Sequence, residues 1–133
     1  MDALKVAVEF VSAINKHSVK AISALMADNH RFIDTDGAVV EGRTLMKQGW
    51  NSYFEMVPDY KIEVRETFKS GSRVILLGEA SGTFATYKML KPENFWKTPA
   101  AWRAVVSDGK VTEWQVYADN KPLREIMRRE GAL

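Results

Sequence analysis

The sequence predicts an α+β fold, a curved antiparallel sheet wrapped around helices with a conical pocket open at one end. Three observations predict it. The first half of the chain carries three stretches of helical apolar spacing, interrupted by one short hairpin. The second half changes to period-two alternation over long runs. A last amphipathic stretch then follows Pro122. With 133 residues and no repeat, linker or low-complexity tract, residues 1–133 read as a single domain large enough to bury a core.

Residues 3–16 place Leu4, Val8 and Val11 on one stripe and Val6, Phe10 and Ala13 on another, a helix with two buried faces. Ser18 is an N-cap for a second short helix whose buried side is Val19, Ile22, Leu25 and Met26, and Asn29 closes it. Residues 30–34 form a strand, Gly37 marks a reversal, and Val39 and Val40 make a short return strand. A third helix enters at Gly42-Arg43-Thr44, carries Met46, Trp50, Tyr53 and Val57 on one face, and stops at Pro58.

Beyond Pro58, Tyr60, Ile62, Val64 and Phe68 alternate with polar residues. Glu66 falls on the apolar face, which signals either a bulge or an acid turned inward; the bulge is the simpler reading. A second strand covers residues 73–84, apolar on both faces at its start and then small along Gly78, Ala80 and Gly82, where missing side-chain volume leaves room for something else. Residues 85–100 do not alternate and hold five large apolar residues among two prolines, so they read as a long loop serving as a lid or contact surface. Strands at 102–107 and 110–119, joined at Asp108-Gly109, make a hairpin. The last helix turns Leu123, Ile126 and Met127 inward.

Composition excludes several classes of function. The 19 basic and 17 acidic residues nearly balance, and the one basic cluster, Lys121, Arg124, Arg128 and Arg129, suits the C-terminal end of a helix better than a nucleic acid. The absence of cysteine removes disulfides and thiolate chemistry, and His17 and His30 have no metal-ligand spacing, so no metal or cofactor is expected. No apolar run suggests a signal peptide or membrane span, which makes the cytoplasm the default location.

The segments FVSAINKHSVKAISALMADNHRFID, GRTLMKQGW, PDYKIEV and KVTEWQVYAD resemble the SnoaL-like branch of the nuclear transport factor 2 superfamily over nearly the whole chain, loosest at residues 85–100. The resemblance implies a cone-shaped fold that hosts isomerases, cyclases, dehydratases, epoxide hydrolases and non-enzymatic modules. Beside ketosteroid isomerases, Asp34 lies at the proton-shuttling aspartate, while their oxyanion tyrosine and second acid fall on Phe10 and near Ala101 or Trp102. Beside limonene-epoxide hydrolases, Asp119 matches the water-activating aspartate, but the partner arginine and second aspartate fall on Ala80 and Gly82, leaving Arg103 as a substitute. SnoaL-type polyketide cyclases use one aspartate at the end of the last long strand as acid/base, again the position of Asp119.

The residues themselves leave alternatives open. Asp34 shares strand parity with His30 and Phe32; facing inward it is a base in an apolar wall, and otherwise it is the first residue of an Asx-turn. Asp119 is either a pocket acid or a cap for the last helix. His30 either orients Asp34 or is half-exposed at a strand start. Phe32, Trp50 and Tyr53, with Trp102, Trp114 and Tyr117, supply walls for a flat hydrophobic ligand, or else plain core.

Three functions follow in order. The first is a metal-free and cofactor-free acid/base enzyme of isomerase, cyclase or hydratase type acting on a small hydrophobic carbonyl or polycyclic substrate. The second is a non-catalytic ligand-binding or dimerisation module. The third, epoxide hydrolysis, requires Arg103 in contact with Asp119. The superfamily resemblance and the apolar second face of residues 74–77 together imply a homodimer with no nucleic-acid or membrane partner.

Overall fold

A computed structural model describes residues 2–133. Helix α1 (Ala3–Asn15) starts at Asp2, whose carboxylate accepts the Leu4 N–H, and buries Val6, Phe10, Val11 and Ile14. Only one broad face of α1 is covered, so Val8, expected inside, stands half in solvent. Ser18 caps the one-and-a-half-turn helix α2 (Val19–Ala24) by accepting the Ala21 N–H at 3.1 Å. Helix α3 (Arg43–Met56) buries Met46 and Trp50 and ends before Pro58 as the sequence implies.

Six strands form one curved, unclosed sheet: β1 (Met26–Ile33), β2 (Val39–Glu41), β3 (Lys61–Ser70), β4 (Arg73–Thr83), β5 (Phe95–Ser107) and β6 (Lys110–Ala118). Their order is β2-β1-β6-β5-β4-β3. All neighbours are antiparallel except β1 and β6, because the chain crosses to the far edge after β2 and returns through three hairpins. Helix α1 lies across the concave face against β3, β4, β5 and β6, and helix α4 (Lys121–Arg129) packs on β5. Trp102 and Trp114 are wholly buried under α1, with the Phe10 and Trp114 rings 4.9 Å apart. Removing an aromatic anchor such as Phe10 costs about 3–5 kcal/mol.

The bend is localised. Val64 pairs with Gly78 and Glu66 with Leu77, so Arg65 is the extra residue of a β-bulge, and Glu66 is exposed rather than inward. Gly78 is required there: a Cβ at this position would lie 1.8 Å from the Glu63 carbonyl oxygen. Of the small residues on this face, Gly82 faces Val57 and Trp96, while Ala80 leaves open space.

Two expected boundaries move. Strand β1 begins at Met26, not at His30, because Met26 and His30 both turn into the core while the exposed Asp28 and Asn29 disguise the strand as a helix end. Its pairing with β6 is irregular between Met26 and Arg31, and His30 bridges the gap. Strand β5 begins at Phe95, so the expected loop at 85–100 shrinks to a short connection containing one turn of 3₁₀ helix, Pro92–Asn94. Pro99 is tolerated inside β5 because β6 pairs only from Ala100 onward; on that side the missing N–H has no partner to lose. The lid expected from that segment is not formed by Trp96 and Thr98, which are inward-facing strand residues.

Gly78→Ala is expected to destabilise the fold by about 2 kcal/mol or more through the clash with Glu63, measured as a lower denaturation midpoint with an unchanged m-value.

Candidate functional site

The half of the cone not filled by α1 holds a cavity of about 310 Å³. Helix α3 contributes Met46, Trp50 and Tyr53, the strands contribute Phe32, Val40, Ala80, Trp96, Thr98, Val116 and Ala118, and Tyr60 leads into β3. Asp34, Thr35 and Asn120 complete the lining, in the β1–β2 turn and just ahead of α4. The wall is mostly apolar, and its single ionisable carboxyl is Asp34.

Asp34 makes the Asx-turn that the sequence offers and also lies in the cavity lining. One carboxylate oxygen, Oδ1, accepts the N–H groups of Asp36 and Ala38, each at 2.9 Å, which is an Asx-turn. Its Oδ2 makes no hydrogen bond among the described residues, while the side chain lines the cavity. The turn is tied to α4 twice. Asn120 donates to the Thr35 hydroxyl at 2.8 Å, and Arg124 grips both carboxylate oxygens of Asp36 at 2.7 Å.

The lining also carries two phenols. Tyr53 and Tyr60 meet edge to face with centroids 5.0 Å apart. Burial pushes both phenols well above the ordinary tyrosine range, and for Tyr53 the neighbouring Tyr60 adds to the effect. Neither hydroxyl makes a hydrogen bond among the described residues, and neither is sealed off from space as the indole N–H groups of Trp50, Trp96, Trp102 and Trp114 are. The Trp102 N–H lies close enough to Tyr60 to favour its phenolate slightly, but outside hydrogen-bonding geometry. Both residues are therefore neutral donors at neutral pH, held facing the cavity.

Of the residues singled out in the sequence, Asp34, Phe32, Trp50 and Tyr53 come together here. The other five do not. Asp119 is exposed and accepts the Lys121 N–H at 2.9 Å one residue ahead of the α4 N-cap, Asn120, because β6 ends at Ala118 and Asp119 turns away. Trp102 and Trp114 are core beneath α1, and Tyr117 stands 51% exposed on the convex face of β6. His30 is fully buried against Phe10; its Nδ1 donates to the Val111 carbonyl at 2.8 Å, and it makes no contact with Asp34. Arg103 pairs with Glu113 at 2.9 Å on the convex face, so the Arg103–Asp119 contact needed for epoxide hydrolysis is not made.

Tyr60, Trp96, Thr98 and Asn120 were not singled out. The signal for Trp96 and Thr98 was present, since both share parity with Trp102 along β5, but Pro99 interrupts the alternation. Among the described residues, no group of three or more His, Asp or Glu side chains is arranged to hold a metal, and no helix is long and apolar enough to cross a membrane.

Two titrations test this assignment. Burial holds the His30 imidazole below its ordinary 6.5, outweighing the opposing pull of the Val111 carbonyl and Glu113. The unfolded chain therefore takes up the proton first, so the stability His30 contributes is present above 6.5 and lost as pH falls toward the lowered folded value. Unfolding free energy is expected to drop between about pH 7.5 and about pH 5, and His30→Gln to flatten that slope; parallel slopes would contradict the burial. Phenolate absorbance should show a late-titrating fraction of two of the four tyrosines, removed in the Tyr53→Phe, Tyr60→Phe double variant.

Comparison with known proteins agrees with this architecture. No curated protein matches the chain in sequence. Among solved structures, a candidate SnoaL-like polyketide cyclase from Shewanella denitrificans OS-217 is similar, with a TM-score of 0.79 and 15% identity over 96% of this chain and 97% of that one. A hypothetical protein of ketosteroid isomerase-like fold from Catenulispora acidiphila, solved with trimethylamine, has a TM-score of 0.73 and 17% identity over 96% and 93% of the two chains. An LEH-like epoxide hydrolase from M. tuberculosis has a TM-score of 0.77 and 14% identity over 96% and 90%. At these identities the likeness is one of fold. A family model described as a SnoaL-like domain matches residues 7–114, and the chain belongs to that family.

Proposed function

We propose that the protein is an acid/base enzyme acting on a small hydrophobic carbonyl compound, with Asp34 as the proton-transfer group. The observation that carries this reading is the opening of one carboxylate and two unpartnered, buried phenols into the same apolar cavity. Asp34 takes a proton from carbon next to a carbonyl through its free Oδ2 and returns it at another position. Tyr53 and Tyr60 donate to the carbonyl oxygen, where negative charge develops. They take the part that Phe10 and the residues near Ala101 cannot play. Trp50, Trp96 and Phe32 hold the substrate and exclude water. The reaction as written needs no metal or cofactor.

A second reading, a binding module without chemistry, is favoured by the Asx-turn that occupies half of the Asp34 carboxylate. Proton exchange separates the two. A panel of cyclic ketones incubated with the protein in heavy water is expected to gain deuterium next to the carbonyl. Asp34→Asn should slow that exchange by about 10²–10⁴-fold with the circular dichroism spectrum unchanged. Tyr60→Phe should slow it by a smaller factor. Ketones that bind without exchanging, or exchange that survives Asp34→Asn, would leave the binding module standing.

The assembly proposed with this function is a homodimer packed through the convex face of the sheet. That face presents Ile75, Leu77, Ala101 and Val105 around the Arg103–Glu113 pair, with Phe68 and Tyr117 half exposed. Light scattering is expected to give twice the 15.1 kDa chain mass, and Leu77→Arg to return the single-chain mass; a single-chain mass for the unaltered protein would refute the dimer.

A further inference from the structure

We infer that the cavity recognises a ligand bearing an alkyl-substituted ammonium group, held in an aromatic box with Asp34 as its counter-charge. This goes beyond the acid/base reading, since a cation could bind whether or not the protein turns a substrate over.

The box is built from five rings joined by four consecutive contacts along the lining. Phe32 meets Trp50 at 70°, Trp50 meets Tyr53 at 89°, and Tyr53 meets Tyr60 at 88°; Tyr60 and Trp96 close the row at 35°. Centroid separations are 5.0–6.4 Å throughout. Three of the four contacts turn by 70–89° from ring to ring, so Phe32, Trp50, Tyr53 and Tyr60 stand at corners and not in one flat stack. A compact cation in such a corner meets several π-systems at once.

Polar atoms are distributed to match. The Nε1 atoms of Trp50 and Trp96 are closed off from the cavity, so these residues offer it only ring carbon. No lysine, arginine or histidine lines the cavity, and Asp34 is its only charged group. The guanidinium that acts on Asp34 is Arg124, which lies outside the lining and is held by both oxygens of Asp36, with Asp119 also drawing on its charge. Asp34, Asp36 and Asp119 all act on this one guanidinium, so Arg124 alone does not neutralise the carboxylates around it, an arrangement that favours cations over anions. An anionic ligand would enter against that field and find no cation inside. A neutral apolar ligand would gain from burial, but nothing from the carboxylate.

Choline and dimethylbutanol, in which carbon replaces the ammonium nitrogen, differ in charge at nearly constant shape, and calorimetry with the unaltered protein compares them directly. Choline is expected to bind about tenfold or more tightly than dimethylbutanol. Asp34→Asn and, separately, Trp50→Leu should each weaken choline by about tenfold while leaving dimethylbutanol nearly unchanged for Asp34→Asn. Equal or tighter binding of the neutral isostere, or no heat with choline, overturns the proposal. Because the readout is binding, a failure here leaves the deuterium-exchange test of Asp34 untouched, and a failure there leaves this one untouched.

Discussion

The bulge at Arg65 opposite Gly78 is the constraint on which the rest of the molecule depends. One extra residue on β3 bends the edge of the sheet, and the absence of a Cβ on Gly78 allows the Glu63 carbonyl to come in close enough for the bend to be made. A flat sheet would be covered by α1 alone. A bent one has a second concave region beyond the reach of Phe10, and α3 closes it with Trp50 and Tyr53 without filling it. The cavity is the volume left between a curved sheet and two helices.

That volume persists because its aromatic walls brace each other. Trp50 touches Phe32, Tyr53 and Phe54, and Tyr60 touches Tyr53 and Trp96, so no one ring can swing into the space without losing its neighbours. The same bracing fixes where the phenol hydroxyls point. Their burial moves them still further from ionisation than an ordinary phenol, so they face the cavity as neutral hydroxyls. The phenols and the carboxylate thus sit on different elements, α3 and the entry to β3 for the former and the β1–β2 turn for the latter.

The fold was largely legible because period-two and helical spacing are properties of the chain itself. The helix face Met46-Trp50-Tyr53-Val57, the Asp108-Gly109 hairpin and the bulge at Glu66 all carry local signatures. Two failures were also local. Polar Asp28 and Asn29 concealed the start of β1, and Pro99 concealed residues 95–101 of β5 because its freedom from a partner depends on where another strand stops. The site was less legible. Strand parity put Asp34 and Phe32 on one side, and both line the cavity, yet the same rule cannot distinguish cavity from core, and Trp114 and His30 lie on the same inward side as residues that line the pocket. Which inward residues meet open space depends on how far α1 reaches. Whether Asp119 follows β6 inward or leaves it depends on one residue at the strand's end.

The ties from Asn120 to Thr35 and from Arg124 to Asp36 make the last helix part of the cavity's mouth. Helix α4 is otherwise held by Leu123, Ile126 and Met127 against the core and, near its end, by Arg129 on Glu93 and Asn94 and by Glu130 paired with Lys91. Its local unfolding and the ordering of the Asp34 turn are therefore linked equilibria. A ligand that orders the turn disfavours the open form of α4, and by reciprocity anything that clamps α4 from outside tightens the site it never touches.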